Sequence, residues 1–240
     1  MEWRRFTKRA STIVCGAFSA VLLIHVYVVG QTGSEGHQVQ EVWQGLVLSF
    51  DVHRSYSLSV RGLTKLESPH MYRDSEYFAG LRISHPVAKA FRFGIECLHD
   101  RAYLSNSSLF LENRCAVDVL RRWDISPATN LYLQPKLELR SLAGSFDQRL
   151  KLRAELLHHL PAVRGTFRIF LEPAIDRRFH GFERITAHAG ILWPVGKRIK
   201  IEIFDSAIVA KRPDYNVDAI GMMVFVRLRN KEKGASEIAR

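Results

Sequence analysis

Hydrophobic and charged residues alternate along most of the chain from residue 40 onward. The stretches NLYLQPKLELR (130–140) and FDQRLKLRAEL (146–156) show the pattern most clearly, with leucine at most of the alternate positions and charged or polar residues between them. Successive side chains of a β-strand point to opposite faces, so a period of two residues predicts strands. Helical spacing does not fit these windows.

The same period recurs throughout and predicts about eleven strands, most of them near ten residues long, joined by connections of hairpin length. The predicted strands cover residues 42–52, 55–64, 76–85, 89–98, 107–119, 130–140, 146–156, 165–176, 183–193, 198–203 and 215–228. No linker, low-complexity tract or sharp repeat divides them, which indicates one β-domain over residues 31–228, followed by a charged tail over 229–240.

Alternation alone leaves open which face of the strands meets water. In a soluble secreted barrel or sandwich that binds a ligand inside, the leucines would form the core, whereas in an outer-membrane barrel they would face lipid. Strands of about ten residues are long enough to cross a bilayer at a tilt, and globular strands are more often about five or six. The sequence therefore favours an all-β, antiparallel up-and-down transmembrane β-barrel of about 10–12 strands, with charges facing inward.

The hairpin between the two leucine-rich strands makes this prediction specific. A four-residue turn, LAGS, would place Glu138 opposite Arg149 and Arg140 opposite Asp147. A slip of two residues would place Glu138 opposite Lys151 instead. Opposite charges meet in both registers, and such cross-strand pairs are stabilising.

The polar face of the predicted strands carries both signs of charge, as paired side chains in a narrow lumen would require. The residues predicted to line the lumen are Arg92, Glu96, Glu112, Arg114, Lys136, Glu138, Arg140, Arg149, Lys151, Arg153, Glu155, Arg168, Glu172, Arg184, Arg198, Lys200 and Glu202.

The first thirty residues indicate the compartment. MEWRRFTKRA is basic, an apolar run follows, and small or β-branched residues precede QTGSEG. This pattern predicts a secretory signal peptide over residues 1–30 and, with the barrel, an outer-membrane location. An uncleaved membrane anchor is the alternative, since the apolar run is nearly long enough to span a bilayer.

The formal charge of +11 and the pI near 9.9 are unusual for such a chain. The cations are spread along the strands among acidic residues, without a basic block or a basic helix, so we expect no nucleic-acid partner. If the lumen conducts, the excess of cations predicts a preference for small anionic solutes.

Two cysteines, Cys97 and Cys115, follow the predicted signal peptide and flank the turn-like HDRAYLSNSS. They could face each other across a hairpin. The interpretation that we favour is two small apolar residues on the hydrophobic face of a sheet.

No catalytic, metal or cofactor site is predicted. Adjacent His158 and His159 would point to opposite faces of a strand, and His180 and His188 lack partners at ligand spacing. One alternative is a lipid-modifying hydrolase at the membrane surface, in which Ser105, Ser107 and Ser108 would lie near His99 and Asp100.

Three stretches carry a resemblance to a known family. The first stretch, LFLENRCAVDVL, resembles a strand of the family with a Glu-x-Arg core, here Glu112 and Arg114. The second, FDQRLKLRAEL, resembles its basic strand with alternating leucines. The third, FRIFLEPAIDRRF, resembles its strand with a central glutamate, here Glu172. Over residues 40–228 the chain resembles an uncharacterised family of bacterial outer-membrane β-barrel proteins, a domain of unknown function. The resemblance implies an outer-membrane barrel and no activity, with the lipid bilayer and the barrel-assembly machinery as partners.

Overall fold

The computed structural model describes residues 37–53, 56–68, 75–88, 90–103, 109–142, 145–177, 181–211 and 215–228. This part of the chain forms eleven strands and one 3-10 turn, Pro161–Val163. The strands are β1 His37–His53, β2 Tyr56–Ser68, β3 Ser75–Ala88, β4 Phe91–Tyr103, β5 Leu109–Ser126, β6 Thr129–Leu142, β7 Ser145–Leu160, β8 Gly165–Asp176, β9 Gly181–Pro194, β10 Ile199–Ala210 and β11 Tyr215–Leu228. Within these ranges no helix is long and apolar enough to cross a membrane. The predicted signal peptide and the charged tail lie outside them.

The strands close into a single barrel in which each strand pairs antiparallel with the next along the chain. The predicted all-β up-and-down barrel is therefore confirmed. Because the number of strands is odd, β1 and β11 run in the same direction and close the barrel as a parallel pair, from His37↔Tyr215 to Phe50↔Leu228. We call the two rims the His37 end, where β1 begins, and the Leu228 end, where β11 ends.

The barrel is apolar outside and charged inside. On the β6–β7 hairpin, Leu139 and Leu150 are 52% and 50% exposed, whereas Glu138 and Arg149 on the opposite face are 2% and 1% exposed. The two faces of the strands alternate in this way because adjacent side chains point to opposite sides of the sheet. The leucine rows face outward, and the alternative in which they form an internal core does not fit the structure.

The β6–β7 hairpin has the first of the two predicted registers. Glu138 pairs with Arg149 and Arg140 pairs with Asp147. The strands extend further towards the turn than predicted, to Leu142 and Ser145.

Two prolines inside strands mark interruptions in the ladders. Near Pro135 the β5–β6 pairing passes from Asp118↔Lys136 to Arg121↔Leu133, and the β7–β8 pairing is interrupted in the same way near Pro173. Proline has no amide hydrogen to donate, so a ladder loses a hydrogen bond at these positions.

The favoured interpretation of the cysteines as unpaired apolar residues is wrong. Cys97 on β4 and Cys115 on β5 are direct partners in the antiparallel register and form a disulfide. Directly opposed residues at a non-hydrogen-bonded position lie close together, which brings the two thiols within bonding reach.

Candidate functional site: the ion-paired lumen

The lumen is filled by charged side chains that join strands other than immediate neighbours. Arg149 on β7 contacts Glu138 on β6, with 2.6 Å between Nη2 and Oε2, and also reaches Glu183 on β9, with 3.1 Å between Nη1 and Oε1. These contacts span β8 on the inner face. Because Arg149 is 1% exposed, its charge depends on these carboxylates rather than on water.

A second cluster lies beside Arg149. Arg140 on β6 donates through Nε to Glu112 on β5 at 2.5 Å and through Nη1 to Asp176 on β8 at 2.8 Å. The guanidinium also donates through Nη2 to the other oxygen of Glu112, at 3.2 Å. Such fork-like pairing suits the planar guanidinium and fixes its orientation.

Glu96 on β4 connects the first half of the barrel to the second. Its Oε1 lies 3.1 Å from Nη2 of Arg61 on β2, and its Oε2 accepts a hydrogen bond of 2.9 Å from Nζ of Lys136 on β6. Nearby, both oxygens of Asp118 on β5 accept hydrogen bonds from Arg82 on β3, at 2.5 and 2.7 Å. The two carboxylates thus bind cations from three other strands, β2, β3 and β6, across the inner face.

Two further carboxylates continue the network through β7 to β10. Glu172 lies 3.4 Å from Nζ of Lys151 and 2.7 Å from Nη2 of Arg153. Glu202 on β10 pairs with Arg168 on β8 at 3.1 Å, and Arg168 also pairs with Glu155 on β7 at 3.1 Å. Alternating cations and anions in this way keep the low-dielectric interior free of long runs of one sign.

His188 lies at the border between this network and an apolar part of the lumen. Its ring is stacked 4.5 Å from Phe170 and lies 4.6 Å from Phe204. Its Nδ1 lies 2.7 Å from the Ser206 hydroxyl, and its Nε2 lies 3.0 Å from Glu202 Oε1. A serine, a histidine and a carboxylate are also the groups of a hydrolase triad. Ser206 is only 2% exposed, so the surrounding side chains cover its hydroxyl in this structure.

The apolar part of the lumen lies next to this histidine on β10, β11 and β1. Ile208, Val217 and Ala219 form a buried cluster on which Trp43 packs, and Trp43 meets Phe204 edge to face at 6.1 Å. A Cβ atom at Gly221 would collide with the Phe204 ring, so glycine is needed there for the close approach. This side of the lumen is therefore lined by packed apolar side chains and the other side by ion pairs.

Most of the side chains predicted to line the lumen lie in this network. Arg92, Arg198 and Lys200 are instead exposed at the Leu228 end, and Arg184 is partly exposed. Arg114 donates from Nη2 to Asp100, at 2.9 Å.

Sequence reasoning missed several members of the network. Arg61, Arg82 and Asp118 lie on strands whose alternation is less regular, although their charges were visible. In a regular strand, the alternation that turns His188 inward would turn Glu183 outward. The register shift opposite Ala174 and Ile175 makes it an extra residue and turns it inward.

The alternative catalytic cluster lies only partly within the described residues. His99 lies outside the barrel, where its Nδ1 is 2.7 Å from Asn113 Oδ1, and Asp100 faces the lumen. The three serines, Ser105, Ser107 and Ser108, lie outside the described residues. His180 also lies outside them, and His158 is bonded to Thr129 Oγ1 at 2.9 Å. Within the described ranges, no three His, Cys, Asp or Glu side chains are grouped to hold a metal ion.

Comparison with solved structures finds similar barrels at very low sequence identity. A bacterial polysaccharide outer membrane secretin is 10% identical, with a TM-score of 0.46 and alignment over 71% of this chain and 63% of that chain. LpxR from Salmonella typhimurium is 8% identical, with a TM-score of 0.49 and alignment over 72% of this chain and 83% of that chain. The chain thus spans less than two thirds of the secretin chain.

No family model and no curated protein matches the sequence. The uncharacterised family indicated by the three sequence stretches stays a prediction, while the barrel that it implies is present in the structure.

Proposed function

We propose that the protein is an integral outer-membrane β-barrel with a lumen closed by ion pairs, which serves as an envelope scaffold or a very narrow channel. The observation that carries the proposal is the polarity of the wall. Long rows of exposed apolar side chains cover its outside, and buried charges fill its inside. A water-soluble barrel would place these two classes of residue the other way round.

A closed barrel is one of the two structures that satisfy every backbone hydrogen bond in lipid, since it has no open sheet edge. The disulfide between Cys97 and Cys115 also supports passage through an oxidising compartment. Together with the predicted signal peptide, these features support export across the inner membrane. Insertion would then require the barrel-assembly machinery.

Strand number supports the closed lumen. Barrels of about eight strands are just filled by their own side chains, and those of about 16–18 strands hold a water channel. The eleven strands here lie between these limits, and the ion pairs that bridge β2, β4 and β6 fill the intermediate space. Any residual conduction is expected to prefer small anions because the exposed residues at the Leu228 end include many cations.

Two measurements test the proposal. Fractionation of cells that express the full chain should place it in the outer membrane, and the detergent-extracted protein should change its gel mobility on boiling. Planar-bilayer recordings of the folded barrel should show conductance far below that of an open porin. A freely soluble periplasmic product would contradict the membrane assignment. A large, steady conductance would contradict the closed lumen, and cation selectivity of any conductance would contradict the expected preference for anions.

A further inference from the structure

We propose that the outer wall of β4 and β5 binds an anionic phospholipid, with the lipid phosphate on Arg121 and an acyl chain along the apolar column next to it. The column consists of the outward pairs Phe93↔Val119 and Ile95↔Val117, which follow Phe91↔Arg121 along the two strands. This inference rests on the proposed function, because it requires this wall to face a membrane.

Arg121 is presented to the outside by two aromatic rings. Its guanidinium carbon lies 4.4 Å from the centre of the Trp123 ring and 5.1 Å from that of Phe91. Stacking on aromatic faces orients the guanidinium plane and leaves its N–H groups at the edge. Arg121 itself is exposed. An oriented, exposed guanidinium fork matches two oxygens of a phosphate group.

The level of Arg121 on the wall fits a lipid headgroup. It pairs with Phe91, the first residue of β4 at the Leu228 end, and Trp123 lies two residues nearer the end of β5. Tyr56 stacks on His85 at the same end, with 4.6 Å between the ring centres. Aromatic side chains at this position are typical of the membrane–water interface, where phosphates lie.

The apolar column continues from this headgroup level towards the middle of the wall. Phe93, Ile95, Val117 and Val119 are 37%, 47%, 43% and 41% exposed, and the Cys97–Cys115 disulfide follows them. In the bilayer an acyl chain along these pairs replaces other lipid chains of equal polarity, so the column positions the bound lipid and the Arg121–phosphate contact supplies the selectivity. The cation and the column together specify an amphipathic anion rather than a free one.

The adjacent Arg122 shows why the assignment falls on Arg121 alone. Arg122 points to the inner face, where its Nε donates to Asp124 at 2.6 Å and its Nη2 donates to Asn130 at 3.0 Å. Its charge is therefore already paired. It lies one residue nearer the end of the same strand and carries the same charge, so it supplies a matched control on the opposite face.

The test is native mass spectrometry of the full chain in neutral detergent, titrated with dioleoylphosphatidylglycerol. We expect saturable binding by the wild type and about tenfold weaker binding by Arg121→Gln, the loss of one charge-assisted contact. Trp123→Leu should weaken binding through the lost stacking, whereas Arg122→Gln should bind as the wild type does. All variants are first checked for the mobility shift on boiling that shows a folded barrel.

Binding by Arg121→Gln at the wild-type level would overturn the inference, as would equal weakening by Arg121→Gln and Arg122→Gln, which would indicate only general attraction to a basic rim. If inorganic phosphate displaces the lipid as effectively as dioleoylphosphatidylglycerol itself, the site takes free phosphate and the lipid assignment is wrong. Failure of the proposed function looks different, because the wild-type chain would then stay soluble without detergent and bind neither lipid nor micelle.

Discussion

The buried Arg149 shows how much a single charge in the lumen depends on its partners. Replacing it by methionine, of similar length, would leave Glu138 and Glu183 buried beside one cation fewer. Removing one partner of a buried pair costs about 3–5 kcal/mol, because the remaining charge is no longer compensated. We expect Arg149→Met to lower the free energy of unfolding by this amount in a urea titration of the vesicle-inserted protein, followed by tryptophan fluorescence.

The matched control is Arg92→Met, a cation on the inner face of β4 that is exposed at the Leu228 end. An exposed charge is already solvated, so this change should alter the free energy of unfolding by no more than about 0.5 kcal/mol. Equal losses for the two variants would mean that the lumen is hydrated at the level of Arg149 and that the network is not closed.

His188 allows packing and hydrogen bonding to be separated at one position. Phenylalanine would keep the stacking between Phe170 and Phe204 but lose the contacts to Ser206 and Glu202. A buried polar group left without its partner costs about 1–3 kcal/mol, so His188→Phe should be destabilising by that amount. Ser206→Ala removes only the uncharged partner of His188 and should lower the free energy of unfolding by about 1 kcal/mol in the same urea titration. Wild-type stability of His188→Phe would show that the ring is held by packing alone.

At the scale of the strands, the β4–β5 disulfide reports where the wall lies in the membrane. Cys97 and Cys115 occupy the outer face near the middle of β4 and β5, next to the apolar pair Ile95↔Val117 on one side and the His99↔Asn113 pair on the other. A charged reductant such as tris(2-carboxyethyl)phosphine is excluded from hydrocarbon. We expect the disulfide to resist it in vesicle-inserted barrel and to be reduced rapidly once urea unfolds the chain. The measurement is thiol labelling followed by mass spectrometry, and rapid reduction of the folded, inserted protein would place this part of the wall in water.

The same elements show what could be predicted from the sequence. The strict period of β6 and β7 predicts the strands and places the leucines on one face. With the LAGS turn it leaves two registers for Glu138, of which the structure has the one opposite Arg149, because these features depend only on residues near in sequence. The disulfide stayed the less favoured alternative because it depends on the exact register of the β4–β5 pair, which the sequence pattern did not determine. Glu183 was missed because a bulge changes the phase, and the alternating pattern carries no sign of it.

At the scale of the whole molecule, the ion pairs between strands that are not neighbours are the part of the lumen that the sequence pattern could not predict. Glu96 meets Lys136, and Arg168 meets Glu202, across one intervening strand, because the sheet curves and turns these side chains to a common inner face. The pattern predicted that opposite charges would share a lumen, but partners across it depend on curvature and strand number. The parallel closure of β1 with β11 likewise follows from an odd strand count, which the pattern fixed only approximately.

The polarity of the whole barrel can be tested by placing one charge at two depths on the same strand. Leu152 lies near the middle of β7 and Phe146 near its start, and both side chains face outward, 44% and 86% exposed. A cation facing lipid costs about 2–4 kcal/mol at the bilayer midplane and about 0–1 kcal/mol near the interface. In urea titrations of the vesicle-inserted barrel, Leu152→Arg should therefore be strongly destabilising and Phe146→Arg only slightly so. Leu152→Met should have near wild-type stability, because it conserves the volume of the side chain. If the wall faced water, arginine at Leu152 would be tolerated as well as at Phe146, and the difference between the two depths would vanish.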